Sequence, residues 1–345
     1  MDQLQKFIPL NLYVLRLDTL KPFDIYIKIG YGKNKYVLYS RKGKYFTSRV
    51  RQKLLMNNVS TIYVPDEDRD TYQQYIEDNL QYIVKDNLVT PEQKSAVVYE
   101  SSRYVMEKLF ENPRAEIISR TKKTVDNIVS LILSDRKATS QLIRITEYDY
   151  YTYTHSVNVG VFSVAFAREL FPGIADREFY DLALGFFLHD IGKSEIPIEI
   201  LNKPGSLNQD EWNIMRSHPE KGYKILENTG YIRRESAIIV LQHHERSNGS
   251  GYPKGLTTDA IHVYAKICAI ADTFDAMTTK RCYQKPVTAY ESLDFIRQRL
   301  FEEQIDRDFF EKFVLLFAPE KSRDRHMSQK ILLSGTKPAG EKRGA

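Results

Sequence analysis

The sequence predicts a multidomain chain with a small N-terminal α+β domain followed by an all-α helical domain. Near the N-terminus, apolar residues alternate with period two from Ile8 to Val14 and again from Phe23 to Ile29, as in half-buried strands. From Thr90 onward, apolar residues recur at helical spacing instead. At 345 residues the chain is long for a single core, so about two domains are expected.

Residues 1–88 are predicted to form an N-terminal α+β regulatory or interaction domain. The turn at Gly30 to Asn34 joins the second alternating segment to a third, Lys35 to Tyr39, which indicates a hairpin. Later elements are expected to be a helix, a strand and a second helix, at Ser48 to Met56, Thr61 to Val64 and Pro65 to about Ile83. The many tyrosines here are interpreted mainly as packing residues, with a ligand surface as the alternative.

Residues 89–146 are expected to be a helical connector or the start of the catalytic domain, which then occupies residues 147–319. Thr90-Pro91 places an N-cap before a proline at the first helical position, and Asn112-Pro113 ends that helix. A second helix is predicted from about Lys122 to Leu133. Residues 320–345 are polar and basic without periodicity, which predicts a disordered tail.

Five further helices are predicted to carry chemically active side chains. The first begins near Glu147 and carries His155, and the second, from about Asp176, delivers His189 and Asp190 in its last turn. A third starts at Asn208, where a capping box is expected, and ends at His218. The last two helices bring the remaining candidates, His243 and His244 at the end of one and Asp272 within the long final helix from His262 to about Thr279.

Charge and cysteine usage exclude several classes. The net charge is +5, but the segment from Lys321 to Ala345 alone has seven Lys or Arg and two acidic residues, so the remainder is neutral. Duplex nucleic acid is therefore a poor partner. The two cysteines make no disulfide framework. The N-terminus has no signal-peptide pattern and no apolar run is long enough to span a bilayer, so a cytoplasmic protein without membrane insertion is expected.

The histidines point to one shared site. Five of the seven lie between His155 and His244, and the first 154 residues have none. His189-Asp190 stands inside an apolar run, where an imidazole and a carboxylate are costly to bury unless something binds them. Divalent metal is the expected partner, because it prefers neutral imidazole nitrogen and carboxylate oxygen.

The candidate ligands number five imidazoles and two carboxylates, which exceeds the needs of one ion and suits two ions bridged by Asp190. Such a set favours iron or manganese over zinc. Two ions roughly 3.5–4 Å apart would activate a bridging hydroxide for attack on phosphorus, which indicates phosphoester hydrolysis. Lys193, just after the pair, could hold a phosphate oxygen, with a solvated lysine as the alternative. Arg281 and Tyr283 are further candidates for phosphate contact.

His189-Asp190, His218, His243-His244-Glu245, Gly251-Tyr252-Pro253 and Asp272 together resemble the HD-GYP family of cyclic-dinucleotide phosphodiesterases, a branch of the HD metal-dependent phosphohydrolases. The resemblance covers roughly Tyr151 to Phe317. It implies an HD-type helical domain with two or three iron or manganese ions. The implied activity is cleavage of cyclic di-GMP to pGpG and often on to GMP, while some members prefer cyclic GMP-AMP.

Carried over by position, the resemblance assigns metal binding to the seven candidate ligands: His155, His189, Asp190, His218, His243, His244 and Asp272. Lys193 and Arg281 match residues that hold substrate phosphates. Asp190 and Lys193 are therefore the expected catalytic residues, and Lys193, Arg281, Tyr283 and Lys285 the expected substrate contacts. The Gly251-Tyr252-Pro253 loop is expected either to contact diguanylate cyclases or to be a rigid turn near the mouth of the substrate site.

Three positions depart from the family pattern. Asn248 replaces the usual Asp, which predicts an adjusted loop and no lost metal, and Gln284 replaces a common basic residue beside Lys285. Trinuclear members have a Glu four residues before the first histidine, where this chain has Tyr151. A neutral phenol is a poor ligand, so a binuclear site is predicted.

These departures leave alternatives open. One is a weakly active or inactive cyclic-dinucleotide-binding signalling protein, and another is an enzyme that prefers cyclic GMP-AMP. A general phosphohydrolase acting on mononucleotides is disfavoured by the Gly-Tyr-Pro loop. A homodimer is also left open.

Overall fold

The computed structural model describes residues 6–29, 35–146, 152–230, 233–279, 287–303 and 307–317. Within these residues a small N-terminal unit of strands and two helices precedes a domain built only of helices. This confirms the predicted fold class. The predicted disordered tail, residues 320–345, lies outside the described residues, as do Tyr151, Arg281, Tyr283, Gln284 and Lys285.

The N-terminal unit contains a four-stranded antiparallel sheet in the order β1-β6-β3-β4 and a two-stranded ribbon of β2 with β5. The strands are β1 (Phe7–Asn11), β2 (Thr19–Leu20), β3 (Ile25–Ile29), β4 (Lys35–Ser40), β5 (Tyr45–Phe46) and β6 (Thr61–Pro65). The predicted hairpin is confirmed, because β3 and β4 pair with Ile27 opposite Val37. The helices are α1 (Ser48–Met56) and α2 (Arg69–Lys85).

The first predicted strand is shorter than the alternating pattern indicated. It ends at Asn11, and Leu12–Val14 form a 3-10 turn. The Asn11 side chain accepts a hydrogen bond from Tyr13 N at 2.9 Å, which closes the turn, and Leu12 and Val14 are buried all the same. The apolar alternation correctly predicted that these residues are buried. It did not predict the hydrogen bond from the Asn11 side chain that bends the chain.

The helical domain begins with α3 (Pro91–Glu111), α4 (Ala115–Ser134) and α5 (Arg136–Ile145). It continues with α6 (Thr152–Leu170), α7 (Asp176–Phe187), α8 (Ile198–Leu201), α9 (Gln209–Met215), α10 (His218–Glu227), α11 (Arg234–Gln242), α12 (Val263–Thr278), α13 (Ala289–Glu303) and α14 (Arg307–Leu315). The predicted N-cap of α3 at Thr90 and the predicted capping box of α9, formed by Asn208 with Glu211, are present. Thr90 also forms a capping box with Gln93, which was not predicted.

Helix α6 is the centre of this domain. Every residue from Thr154 to Ala167 is buried, and the helix packs against α3, α7, α12 and α14. A helix that is buried on all sides must satisfy any polar group inside the protein. His155 and Asn158 lie on this helix, so their partners are protein groups or a bound ion.

Several predicted boundaries were wrong. Helix α4 starts at Ala115, before the predicted Lys122, and His218 begins α10 instead of ending α9. Helix α12 is not the last, because α13 and α14 follow it. Helix α7 ends at Phe187, so His189 and Asp190 lie just beyond it, before a 3-10 turn at Ile191–Glu195.

Among the described residues, no helix combines the length and apolar character that crossing a bilayer requires.

Candidate metal centre

The ends and inner faces of five helices bring the seven predicted ligands together. His155 and Asp272 lie within α6 and α12, whereas the others lie at helix ends. His189 and Asp190 follow α7, His218 begins α10, and His243 and His244 follow α11. All except His244 are nearly or fully buried, and the His244 side chain is 17% exposed.

Asp190 is the centre of the cluster. Its Oδ1 atom lies 3.2 Å from His218 Nε2 and 3.7 Å from His243 Nε2. Its Oδ2 atom lies 3.5 Å from His189 Nε2 and 3.6 Å from His155 Nε2. The side chains therefore form two sets that could each hold an ion and that share Asp190, one with His155 and His189 and the other with His218, His243 and His244.

Asp272 closes the cluster from α12. Its Oδ1 atom lies 3.1 Å from His155 Nε2, and its Oδ2 atom lies 3.8 Å from His244 Nδ1. A second carboxylate thus reaches one imidazole of each set. This is the placement expected of a carboxylate that ligates a cation beside the bridging Asp190.

Three of the histidines are held in one orientation by their own backbone. The Nδ1 atoms of His189, His218 and His243 donate to the carbonyls of the residues three positions earlier, Phe186, Met215 and Val240, at 3.0, 2.8 and 2.8 Å. A neutral imidazole that donates from Nδ1 presents a lone pair at Nε2. All three rings therefore direct a potential ligand atom into the cluster.

The donor atoms fit a cation. His218 Nε2 and His243 Nε2 face each other at 3.3 Å, although each ring already donates from Nδ1. Two lone pairs at this separation repel unless a proton or a metal lies near them. His189 Nε2 and Asp190 Oδ1 are buried and have no hydrogen-bond partner among the described residues. Buried polar atoms in native proteins are nearly always satisfied, so these atoms fit the role of cation ligands.

The electrostatics favour deprotonated ligands in most positions. Burial would raise the pKa of Asp190, but the charge of Lys193 lowers it well below its usual value. Burial lowers the pKa of His243 to about 4 and that of His244 well below the usual value. At neutral pH these carboxylate and imidazole groups are therefore in the form that binds metal.

His155 differs because carboxylates lie on both sides of its ring. Burial alone would lower its pKa, but hydrogen bonds to Asp272 and Asp275 raise it to about 10. Its Nδ1 atom donates to Asp275 Oδ2 at 2.6 Å. Without metal the His155 ring is protonated on both nitrogens at neutral pH, and the hydrogen bond to Asp275 fixes the orientation of the ring.

Asp275 starts a chain of hydrogen bonds that leaves the centre. Its Oδ1 atom accepts from Asn158 Nδ2 at 2.8 Å, and Asn158 Oδ1 accepts from the Tyr99 hydroxyl at 2.6 Å. Tyr99 lies on α3, so the support of His155 reaches well outside the ligand-bearing helices. Sequence reasoning missed this group, although the three-residue spacing of Asp272 and Asp275 on one helix puts both on one face.

Lys193 lies beside the bridging carboxylate. Its Nζ atom donates to Asp190 Oδ2 at 2.5 Å, and its side chain is 16% exposed. The lysine is thus neither fully solvated nor fully buried. Of the four predicted substrate contacts it alone lies within the described residues.

The Gly251-Tyr252-Pro253 loop folds back onto the histidines. The Tyr252 ring stacks on His244 with centroids 4.7 Å apart, and a Cβ at Gly251 would collide with Glu245 and Arg246 backbone. Buried Glu245 accepts from Lys254 N and Leu256 N at 2.7 and 2.8 Å, which holds the loop in place. Asn248 adjusts the loop locally by accepting from Ser250 N at 3.0 Å.

One basic residue near the centre was also missed. The Arg216 guanidinium carbon lies 5.5 Å from the centre of the Tyr252 ring. Arg216 is exposed, so its charge is available at the surface where the Tyr252 ring and His244 meet solvent. In the sequence, the only indication of a role for Arg216 was its position two residues before the candidate ligand His218.

Part of this helical region matches a known family, and the chain is similar to several characterised proteins. Residues 167–309 match the family model of the HD domain. A cyclic di-GMP phosphodiesterase of Pseudomonas aeruginosa is 38% identical over 193 residues, which cover 55% of this chain and 45% of the relative. A 3'3'-cGAMP-specific phosphodiesterase of Vibrio cholerae is 40% identical over 145 residues, 42% of this chain and 27% of the relative.

A solved structure shares the fold over most of the chain. An HDG"Y"P protein from Bdellovibrio bacteriovorus superposes with a TM-score of 0.60 at 23% identity, over 89% of this chain and 98% of that one. By contrast, the chain spans less than half the length of the curated relatives named above. The predicted resemblance is confirmed at this level: residues 167–309 match the HD domain, and the chain is similar to cyclic-dinucleotide phosphodiesterases.

Proposed function

We propose that the protein is a metal-dependent phosphodiesterase that hydrolyses cyclic di-GMP to pGpG; further hydrolysis of pGpG would give GMP. The observation that carries the proposal is the pair of ligand sets sharing Asp190, with a lysine on the same carboxylate. Sequence similarity to cyclic di-GMP and 3'3'-cGAMP phosphodiesterases gives further support.

The proposed cofactors are two divalent ions, iron or manganese, held by the seven clustered side chains. Imidazole with carboxylate suits these metals, and Tyr151 in the sequence argues against a third ion. When bound, they would supply Lewis acidity that activates water and offsets phosphate charge. In the proposed reaction, water adds across one P–O bond and opens the ring, and a second hydrolysis releases GMP.

The chain's own groups would then position the substrate. Lys193 donates to a non-bridging phosphate oxygen, where a charge fixed in a partly buried site is most effective. The Tyr252 ring and Arg216 form the outer wall on which a guanine and a phosphate can lie. Arg281, Tyr283 and Lys285 are further proposed contacts on the basis of the sequence.

A second candidate function keeps metal and nucleotide binding but turns over slowly. Gln284, in place of a common basic residue, favours it, and a preference for cyclic GMP-AMP is the third alternative. In each case the domain of residues 1–88 would regulate the centre, and the Gly-Tyr-Pro loop would contact diguanylate cyclases. The proposed division into residues 1–88, 89–146 and 147–319, a cytoplasmic location and a homodimer belong to the same proposal.

The test is a product assay on protein purified without oxygen and reconstituted with Mn²⁺ or Fe²⁺. Cyclic di-GMP, cyclic GMP-AMP and mononucleotides are supplied separately, and products are separated by chromatography. Release of pGpG from cyclic di-GMP supports the first function, and binding without product supports the second. Hydrolysis of mononucleotides alone would contradict both.

Three variants identify the residues responsible. Asp190→Ala should lose metal and turnover together, because the shared carboxylate is removed. Lys193→Ala should keep its metal and lose roughly 100-fold in kcat, as expected for one donor to developing charge. Lys221→Ala is the matched control, since that lysine contacts only the Glu195 carbonyl at 2.9 Å in the described part of the chain. Normal turnover by Asp190→Ala would refute the assignment.

A further inference from the structure

A cavity of about 500 Å³ lies between the N-terminal sheet and α3, away from the ligand cluster. Strand β1, helix α2 and helix α3 supply its walls, so it sits where the N-terminal unit meets the first helix of the helical domain. Its volume is within the range of small-molecule sites, which occur preferentially at such junctions. Much of the wall is apolar, from Ile8, Leu10, Val14, Ile76, Ala96 and Val97.

Three buried polar side chains line the same cavity. Tyr72, Gln73 and Ser101 are only 7%, 4% and 1% exposed. Within the described residues, the Ser101 Oγ atom is fully buried and has no hydrogen-bond partner. A buried hydroxyl without a partner, beside a largely buried amide and a second hydroxyl that line the same space, is typical of a site that a ligand completes.

The charges at the rim restrict the ligand. Glu92, Glu100 and Arg69 line the rim; Arg69 pairs with Asp66 at 2.7 Å and Glu100 pairs with Arg103 at 3.2 Å. These three acids and two arginines together carry one net negative charge. A phosphate or a cyclic dinucleotide would meet net negative charge. Burial and the nearby Glu100 raise the pKa of Tyr72, so its hydroxyl stays neutral and can donate.

We propose that this cavity binds a small neutral molecule with an apolar ring and a carboxamide-like group. The ring lies against Ile76 and Val97, and the polar group exchanges hydrogen bonds with the Gln73 amide and the Ser101 and Tyr72 hydroxyls. A carboxamide both donates and accepts, which matches a glutamine side chain. The proposal is independent of the activity proposed for the metal centre.

The experiment uses the full chain and 4-fluorobenzamide, with binding followed by ¹⁹F NMR of the compound. 4-Fluorotoluene, which lacks the amide, is the comparison compound. The decisive variant is Gln73→Leu, and its control is Gln74→Leu, because Gln74 is next along α2 but exposed and bonded to Asp78 at 3.0 Å. A third variant, Ala96→Trp, is designed to fill the cavity from α3.

We expect saturable binding of 4-fluorobenzamide with Kd below roughly 1 mM for wild type and Gln74→Leu. Gln73→Leu should weaken it about fivefold and leave 4-fluorotoluene unaffected, since only the amide contact is lost. Ala96→Trp should abolish binding of both compounds, and circular dichroism checks that each variant folds. If Ala96→Trp does not fold, Gln73→Leu decides. Absence of saturation at wild type, or equal affinity for Gln73→Leu, would overturn the proposal and indicate a cavity filled only by water.

Discussion

The substitution Asp275→Asn asks whether the groups behind His155 set the affinity of the centre for metal. Asp275 is fully buried and accepts from His155 Nδ1 at 2.6 Å, Asn158 Nδ2 at 2.8 Å and Thr279 Oγ1 at 3.1 Å. An asparagine offers one acceptor oxygen and one NH₂ group. The NH₂ must therefore face a donor, either the imidazole or the pair formed by Asn158 and Thr279.

The expected magnitude follows from the lost bond. A hydrogen bond to a charged group contributes about 1.5–3 kcal/mol, and 1.4 kcal/mol corresponds to a tenfold change in affinity. We therefore expect metal affinity to fall by about 10–100-fold, which is also the usual effect of changing the residue behind a metal-binding histidine. Only one of two binding steps should weaken, because His155 belongs to the set that contains His189.

The assay is a titration of metal-free protein with Mn²⁺ against a competing chelator, which resolves the two binding steps. Thr279→Val is the matched control, since it removes only the 3.1 Å bond from the same carboxylate. It should change metal affinity by less than about threefold, because the 2.6 Å hydrogen bond from His155 to Asp275 is retained. The reasoning is refuted if folded Asp275→Asn binds both ions like wild type, or if Thr279→Val loses as much.

Three further outcomes are expected. Tyr99→Phe should weaken the same metal-binding step several-fold, because it removes the 2.6 Å hydrogen bond to the Asn158 amide on α6. Tyr104→Phe is the control, since Tyr104 is also on α3 but bonds to Asp70 at 2.7 Å, and equal effects of the two variants on the metal titration would contradict the expectation. Arg216→Ala should raise KM about threefold with kcat unchanged and reduce the salt dependence of KM, because an exposed charge contributes roughly 0.5–1 kcal/mol. Metal binding near pH 7 should release about one proton, because the pKa of His155 is raised to about 10 and the ring is protonated below that pH. Metal affinity should therefore rise as the pH increases toward 10. Calorimetry in buffers of different ionisation enthalpy measures the number of protons released, and a value of zero would contradict the expectation.

Sequence reasoning was most successful for features fixed by local chemistry. The caps at Thr90 and Asn208 lie where predicted, because each depends on residues three positions apart. The seven candidate ligands could also be named, because five of the seven histidines fall in one part of the chain and match the family pattern, and the structure brings them together. Which of them form each set could not, since Asp190 meets His155 and His218 only through tertiary packing.

Features that depend on distant contacts were out of reach. The sheet order, with β6 between β1 and β3, requires pairing of Leu10 with Ile62, which no local pattern specifies. The support of His155 by Tyr99 joins residues on helices that pack side by side but are far apart along the chain. Helices α13 and α14 were different: Thr288 and Glu291 form a capping pair that was readable and was overlooked.

Gly192 limits which substitutions this centre can accept as the sequence diverges. A Cβ at this position would overlap the His218 carbonyl oxygen and the Gly222 nitrogen, so the turn after Asp190 and helix α10 touch main chain to main chain. The separation of these two ligand-bearing segments is therefore dictated by peptide dimensions, which no choice of side chain alters. Neighbouring core residues can therefore change size without altering the distance between the ligand-bearing segments. A single methyl group at position 192, as in Gly192→Ala, would push the two segments apart.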